Sequence, residues 1–233
     1  MSGCSVQMNW SGVKSVSMKI AVVAGTNTDT QMGCDLLIEN GYEAIFLPIS
    51  DDCNTQARLQ YFSKDELYNL FYNTCKRAIT LGAVKIFLYC NSLSSSVDYE
   101  KVAKDLNIEI ITPLETYKNL PPYCKNIIIL SANGVSAYNI DNIIHRYNKD
   151  VHTISIGNMS IVESIEEKKS PKQIIDELNL QGFIKYLENI NHPKYKSDTL
   201  ILGCTHFPYL KNEIKLLTKL NIIDANDDMI RRL

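Results

Sequence analysis

Several features that would assign this sequence to a broad class are missing from it. The formal net charge is only −2 and the lysines are scattered rather than clustered, whereas a nucleic-acid surface needs concentrated positive charge. No apolar run approaches the roughly 20 residues that a membrane-spanning helix requires. We therefore expect neither a nucleic-acid partner nor a membrane association.

The seven cysteines also lack the spacing of metal or redox motifs, since no two of them form a CxxC pair. A zinc ribbon or a thioredoxin-type site is therefore not expected. No lysine stands in a recognisable Schiff-base context, so we expect no metal and no organic cofactor. The odd number of cysteines suits a reducing compartment and predicts a cytoplasmic protein.

Residues 1–17 lack a basic stretch followed by an apolar one, so they do not predict a signal peptide. We expect them to form a disordered leader ahead of the first strand. The 233 residues, 45% of them apolar, are enough for one large domain or two lobes of about 100 residues each.

Short apolar runs alternate with helical patterns along the rest of the chain, which predicts parallel sheets with helices on both faces. The predicted strands lie at about 20–24, 44–48, 84–90, 108–111, 126–130, 151–156, 199–203 and 221–223. Ser63 and Glu66 form a capping-box pattern that begins one helix, and Ser170-Pro171 begins another. Gly82 is a plausible residue for ending the first of them.

Two of the predicted strands end in a cysteine followed by small polar residues. Cys90 follows Lys85–Tyr89, and Cys204 follows Thr199–Gly203. Ligands bind at the carboxyl ends of parallel strands, and a helix N-terminus nearby lowers the pKa of a thiol. Two such thiols, one in each half of the chain, indicate two acid–base groups facing one substrate. Taken singly, each is equally consistent with a buried cysteine before a helix cap.

The segment Leu202-Gly203-Cys204-Thr205-His206 resembles the second-cysteine segment of glutamate racemases, and Leu88-Tyr89-Cys90-Asn91-Ser92 resembles their first. Their order and separation are similar to those of the aspartate/glutamate racemase superfamily. This resemblance implies an α/β fold of two similar lobes, each a mostly parallel sheet flanked by helices, with the active site in the cleft between them. It suggests lobe one as 18–113 plus 205–233 and lobe two as 114–204.

The resemblance also implies an isomerase that racemises aspartate or glutamate without pyridoxal phosphate. One cysteine thiolate removes the α-proton and the other cysteine returns a proton to the opposite face. Ile161-Val162-Glu163 resembles the segment whose glutamate assists the second cysteine through the histidine. The catalytic residues so predicted are Cys90, Cys204, His206 and Glu163. The partner is a small amino acid, and a homodimer is possible.

Polar side chains near the predicted strand ends are candidates for binding the substrate and its enolate-like intermediate. These candidates are Thr26, Asn27, Asn91, Ser92, Thr205 and Arg58. Arg58 could pair with a side-chain carboxylate, although a surface arginine is an alternative. Thr26 could instead cap the helix that follows it.

The sequence also departs from the glutamate racemase pattern. Ala24 and Gly25 stand where that family has Asp-Ser, so the acid expected near Cys90 is missing. The Pro-Tyr-Gly substrate loop is absent as well, which leaves the side chain of the substrate open. A hydantoin racemase, a maleate isomerase-like enzyme and an inactive amino-acid-binding homologue remain alternatives.

Overall fold

The structure, a computed structural model, describes residues 18–50, 58 and 61–233. The predicted leader, residues 1–17, lies outside the described residues, as does Cys53. Within the described residues the strands form two sheets of four parallel strands each. The predicted fold class is therefore confirmed.

The two sheets have the same strand order, β2-β1-β3-β4 and β6-β5-β7-β8. All of the predicted strands are confirmed. Their bounds are β1 Lys19–Ala24, β2 Glu43–Pro48, β3 Lys85–Leu88, β4 Glu109–Ile111, β5 Asn126–Ser131, β6 His152–Gly157, β7 Thr199–Gly203 and β8 Asn221–Ile223. Position by position, β1 corresponds to β5 and β3 corresponds to β7.

Helices flank both sheets, and none in the described part of the chain is long and apolar enough to cross a membrane. The α-helices are α1 Asn27–Glu39, α2 Lys64–Thr80, α3 Asn91–Ser96, α4 Tyr99–Leu106, α5 Leu114–Lys118, α6 Gly134–Tyr147, α7 Met159–Glu166, α8 Pro171–Glu177, α9 Leu180–Glu188, α10 Lys211–Leu217 and α11 Asn226–Arg231. A short 3₁₀ helix spans Phe207–Leu210.

The predicted helix boundaries follow from their caps. Ser63 begins α2 with a reciprocal capping box to Glu66, and Gly82 ends it with a φ of +90° that favours glycine. The helical pattern after Pro171 divides into α8 and α9 at Asn179, whose φ is 48°. Asn179 caps α9 by accepting from the Gly182 N–H at 3.3 Å. A Cβ atom at position 182 would lie only 2.7 Å from the side-chain amide of Asn179. Glycine therefore fits the start of α9.

The central strands of each sheet, β1 and β3 in the first and β5 and β7 in the second, are buried on both faces. In the first sheet, Val23 and Leu88 pack against α2, whereas Val22 and Phe87 pack against α1 and α11. The second sheet repeats this arrangement. Its alternating residues divide into a cluster with α7 to α10 and a cluster with α5 and α6. Such two-sided burial explains why the strands are continuous apolar runs.

The C-terminal part of the chain differs from the predicted lobe boundary. Strand β8, predicted in lobe one, pairs with β7 of the second sheet, and Ile214 of α10 packs in the second lobe. Only α11 returns to the first lobe, where Met229 is fully buried. An apolar run predicts a strand, but it does not say which of two similar sheets that strand completes.

Candidate active site

Cys90 and Cys204 occupy corresponding places in the two lobes, just after β3 and β7. Both are free thiols, 3% and 7% exposed, and they line one pocket in the cleft. The other lining residues are Asp29, Asn91, Ser92, Ala132, Val162, Thr205 and His206. The space inside is about 10 Å³, which is room for roughly one water molecule. An amino acid does not fit this volume, so some of the lining must move to admit one.

Cys90 is held by the first lobe. It is the N-cap of α3, and its Sγ accepts from the Leu93 N–H at 3.5 Å. Burial raises the pKa of the Cys90 thiol, and the Asp29 carboxylate raises it further. The predicted lowering of this pKa by a helix N-terminus is therefore wrong for Cys90, because desolvation outweighs the hydrogen bonds from a six-residue helix.

Asp29 supplies an acid where the sequence appeared to have none. It is the third residue of α1 and forms a capping box with Thr26, whose N–H donates to Asp29 Oδ1 at 2.7 Å. Burial raises the pKa of Asp29, opposed by His206 and by the hydrogen bonds from Thr26 and Gly25. The Thr-x-x-Asp capping pattern was present in the sequence, but it indicates a helix start and not a pocket.

Cys204 has a different set of partners. Its Sγ lies 3.7 Å from Nδ1 of His206, and His206 Nε2 lies 2.8 Å from Oε1 of Glu166. Burial lowers the pKa of His206, but hydrogen bonds to Cys204 and Glu166 outweigh it and raise that pKa well above its usual value. Burial raises the pKa of Glu166, but hydrogen bonds from His206, Thr26 and Thr28 outweigh it and lower that pKa to about 2. His206 and Glu166 therefore form an imidazolium–carboxylate pair at neutral pH.

The prediction that Glu163 assists His206 is wrong, because Glu163 is exposed on α7 and Glu166 takes that place. The resemblance identified the assisting glutamate as the residue directly after Val162, which is Glu163. Val162 lines the pocket, however, and the residue four positions later shares its helix face. Helical spacing therefore points to Glu166 once the structure shows that Val162 lines the pocket.

Three of the predicted binding residues line the pocket with the thiols, namely Asn91, Ser92 and Thr205. The Tyr117 hydroxyl donates to Asn91 Oδ1 at 2.7 Å, which leaves the Asn91 amide nitrogen as the donor toward a ligand. The remaining predicted binding residues do not line the pocket. Asn27 and Arg58 are exposed, and the fully buried Thr26 caps α1 and contacts Glu166.

No group of three or more His, Cys, Asp or Glu side chains within the described residues could hold a metal ion. The pocket is lined by two thiols, one carboxyl group and an imidazole, and Glu166 lies behind the imidazole. Such groups transfer protons at neutral pH.

The fold and the pocket define a class of protein, a two-lobed parallel α/β protein with two buried thiols in its cleft. No family model matches the chain. Glutamate racemase of Clostridium acetobutylicum is 28% identical over 178 residues, covering 73% of this chain and 66% of that protein. The structure is similar to glutamate racemase of Francisella tularensis, with a TM-score of 0.67, 17% identity and coverage of 93% and 79%. It is also similar to aspartate racemase of Picrophilus torridus, with a TM-score of 0.59, 14% identity and coverage of 93% and 92%.

The sequence similarity to glutamate racemases, together with the structural similarity to glutamate and aspartate racemases, supports the aspartate/glutamate racemase superfamily. The structural likenesses establish its fold, and the sequence matches are to glutamate racemases. The matches span less than two thirds of the length of the curated relatives, at 66%, 58% and 33% for three of them.

Proposed function

We propose that this chain is a cofactor-independent racemase of an acidic amino acid, aspartate or glutamate. The observation that carries the proposal is the single pocket lined by Cys90 and Cys204, one from each lobe. A planar carbanion must be reprotonated on the face opposite to the one that lost the proton. Two thiols supplied by opposite lobes meet that requirement without any rotation of the substrate.

In one direction the Cys90 thiolate takes the α-proton and the Cys204 thiol delivers a proton to the other face. In the reverse direction the two exchange roles. His206, as an imidazolium, can donate a hydrogen bond to the sulfur of Cys204 whenever that sulfur is a thiolate. The Asn91 amide and the backbone near Thr205 are placed to stabilise the negative charge that develops on the α-carboxylate.

Asp29 is the one carboxylate among the residues that line the pocket. An α-ammonium group requires such an acceptor, so Asp29 is placed to bind it. The side chain of an acidic substrate is inferred from the relatives, since the Francisella structure contains D-glutamate and an Escherichia coli glutamate racemase structure contains L-glutamate. Contact of Arg58 with that side chain, a homodimer and a cytoplasmic location remain proposals from the sequence.

The alternatives are supported less well. Hydantoin racemases and maleate isomerases do not usually have a histidine two residues after the second cysteine. Here His206 contacts both Cys204 and Glu166. An inactive binding homologue would not need two thiols that each have their own acid–base partner.

Incubation of the purified protein with D- and L-aspartate and D- and L-glutamate, followed by chiral chromatography, tests the proposal. We expect racemisation of at least one of the two amino acids, unchanged by dialysis against a chelator or by added pyridoxal phosphate. Absence of racemisation of both amino acids, or activity that depends on a metal or on pyridoxal phosphate, would contradict it.

A further inference from the structure

The contacts of Glu166 come from both lobes. Glu166 lies on α7 of the second lobe, but the hydroxyls of Thr26 and Thr28 in the first lobe donate to its two carboxylate oxygens. Thr26 Oγ1 lies 2.6 Å from Oε1, and Thr28 Oγ1 lies 2.5 Å from Oε2. His206 supplies the third donor. We infer that Thr28 is a positioning residue for Cys204, acting across the cleft through Glu166 and His206. This inference rests on the proposed function.

Among the described residues, Glu166 is the hydrogen-bond partner of His206 on the side away from Cys204, so the position of its carboxylate determines the position of the ring. The side chains of His206 and Glu166 are only 3% and 16% exposed, so little water can replace a lost donor. A carboxylate fixed by donors on both oxygens cannot rotate, and it therefore fixes the ring of His206. The ring in turn fixes the direction of Nδ1 toward the Cys204 sulfur.

Of the two threonines, Thr28 is the one whose replacement tests the contact with Glu166 without removing the cap of α1. The hydroxyl of Thr26 has one proton and lies within 3.0 Å of Asp29 Oδ1 as well as 2.6 Å from Glu166. Thr26 also caps α1, so its replacement would disturb the helix as well. The contact of Thr28, by contrast, goes to Glu166, and Thr28 is only the second residue of α1.

The same contacts connect the positioning of Cys204 to closure of the cleft. The contact between Thr28 and Glu166 joins the two lobes, so any movement that parts the lobes at this point separates Thr28 from Glu166. His206 is therefore held in place from both sides only when the lobes are closed. Cys90 differs, because the Leu93 N–H that donates to its sulfur and the nearby Asp29 both belong to its own lobe.

Thr28→Val removes the hydroxyl and keeps the shape of the side chain. We expect kcat/KM to fall about tenfold, which corresponds to the loss of one hydrogen bond to a charged group. The fall must be equal for both enantiomers, because the equilibrium constant of racemisation is one. Thr28→Ser should restore the activity, and Thr80→Val, at an exposed threonine outside the site, should leave it unchanged.

The primary deuterium isotope effects distinguish positioning of Cys204 from general damage. Slower proton transfer at Cys204 should raise the effect for the enantiomer that gives its α-proton to Cys204 and lower it for the other. The first enantiomer is identified as the one that Cys90→Ala still exchanges with solvent. Isotope effects that stay at their wild-type values in Thr28→Val, with or without a loss of rate, would overturn the inference.

A measurement that does not depend on catalytic activity tests the inference about Thr28 separately from the proposed function. NMR titration of ¹⁵N-histidine-labelled protein, with His206→Asn for assignment, should show a lower His206 pKa and faster exchange of its Nε2 proton in Thr28→Val. Circular dichroism confirms that each variant is folded, and Thr28→Ala serves as a second test. An unchanged His206 signal in both variants overturns the inference even in a protein that racemises nothing. If the His206 signal changes in the variants but the wild-type protein racemises nothing, the proposed function is contradicted and the inference about Thr28 is not.

Discussion

The two lobes repeat the same sheet but surround their thiols with opposite charges. Asp29, the third residue of α1, lies beside the pocket in the first lobe, whereas Ser136 occupies the corresponding place in α6 and bonds to Ser131. In the second lobe the charged partner of the thiol is instead His206, paired with Glu166. Cys90 thus lies near a carboxyl group and Cys204 near an imidazole. A repeated backbone therefore fixes where the acid–base groups stand, while single side chains decide how each one behaves.

The largest expected effect comes from removing either thiol. Cys90→Ala and Cys204→Ala should each abolish racemisation in both directions, because either direction needs both groups. The loss should be roughly 10²–10⁴-fold, as is typical for a positioned proton-transfer group. Chiral chromatography measures it. In D₂O each variant should exchange the α-proton of one enantiomer only, and the two variants should choose opposite enantiomers.

Cys124→Ala is the matched control, because Cys124 is also a buried free thiol but lies outside the pocket. It should retain activity close to the wild type once its folding is verified. Racemisation at a near wild-type rate by either active-site variant would contradict the two-thiol assignment.

A smaller effect distinguishes the two glutamates of α7. Glu166→Gln should reduce kcat/KM by roughly 10- to 100-fold, because a neutral amide no longer holds His206 as an imidazolium. Glu163→Gln, on the exposed face of the same helix, should change it by less than about twofold. Equal losses in the two variants would contradict the assignment of Glu166.

Glu163 and Glu166 also show how much of the site can be predicted from the sequence alone. Strands buried on both faces are continuous apolar runs, so β3 and β7, and with them Cys90 and Cys204, were predictable within a residue or two. Asp29 and Glu166 were not, because the rotation of a helix, and not a place in a motif, brings Asp29 to the pocket and Glu166 to His206. The contacts of Glu166 with Thr26 and Thr28 join residues that lie 140 and 138 positions away, and no local pattern specifies how two lobes close on each other.

The ion pair in the second lobe should give the protein a pH-dependent stability. The pKa of Glu166 is lowered to about 2 in the folded protein. Its contribution to the free energy of unfolding is therefore fully present above the pKa of the unfolded chain, near 4.5, and is lost as the pH falls toward 2. The pKa of His206 is raised, so its contribution is complete below about 6.5 and is lost as the pH rises through the folded value. The advantage of the wild type over Glu166→Gln should therefore be greatest between about pH 4.5 and 6.5.

The pH-dependent part of that advantage should be on the order of 3 kcal/mol at most. Urea unfolding of both proteins from pH 3 to pH 8 measures it. A difference in unfolding free energy that stays constant across this range would show that Glu166 and His206 do not titrate as a pair.

The smallest effect concerns the first lobe. Asp29→Asn keeps an oxygen for the capping hydrogen bond from Thr26 but removes the charge that raises the pKa of Cys90. Like charges disfavour each other's ionised forms, so the thiolate of Cys90 should form at a pH lower by about one unit in this variant. The pH dependence of the rate at which iodoacetamide alkylates Cys90, followed by mass spectrometry of the peptide that contains it in a Cys204→Ala background, reports the change. Asp35→Asn, an exposed acid on the same helix, should leave the titration of Cys90 unchanged. A Cys90 titration that does not move in Asp29→Asn would mean that Asp29 is already neutral beside the thiol, and the contrast of charge between the two lobes would then rest on His206 and Glu166 alone.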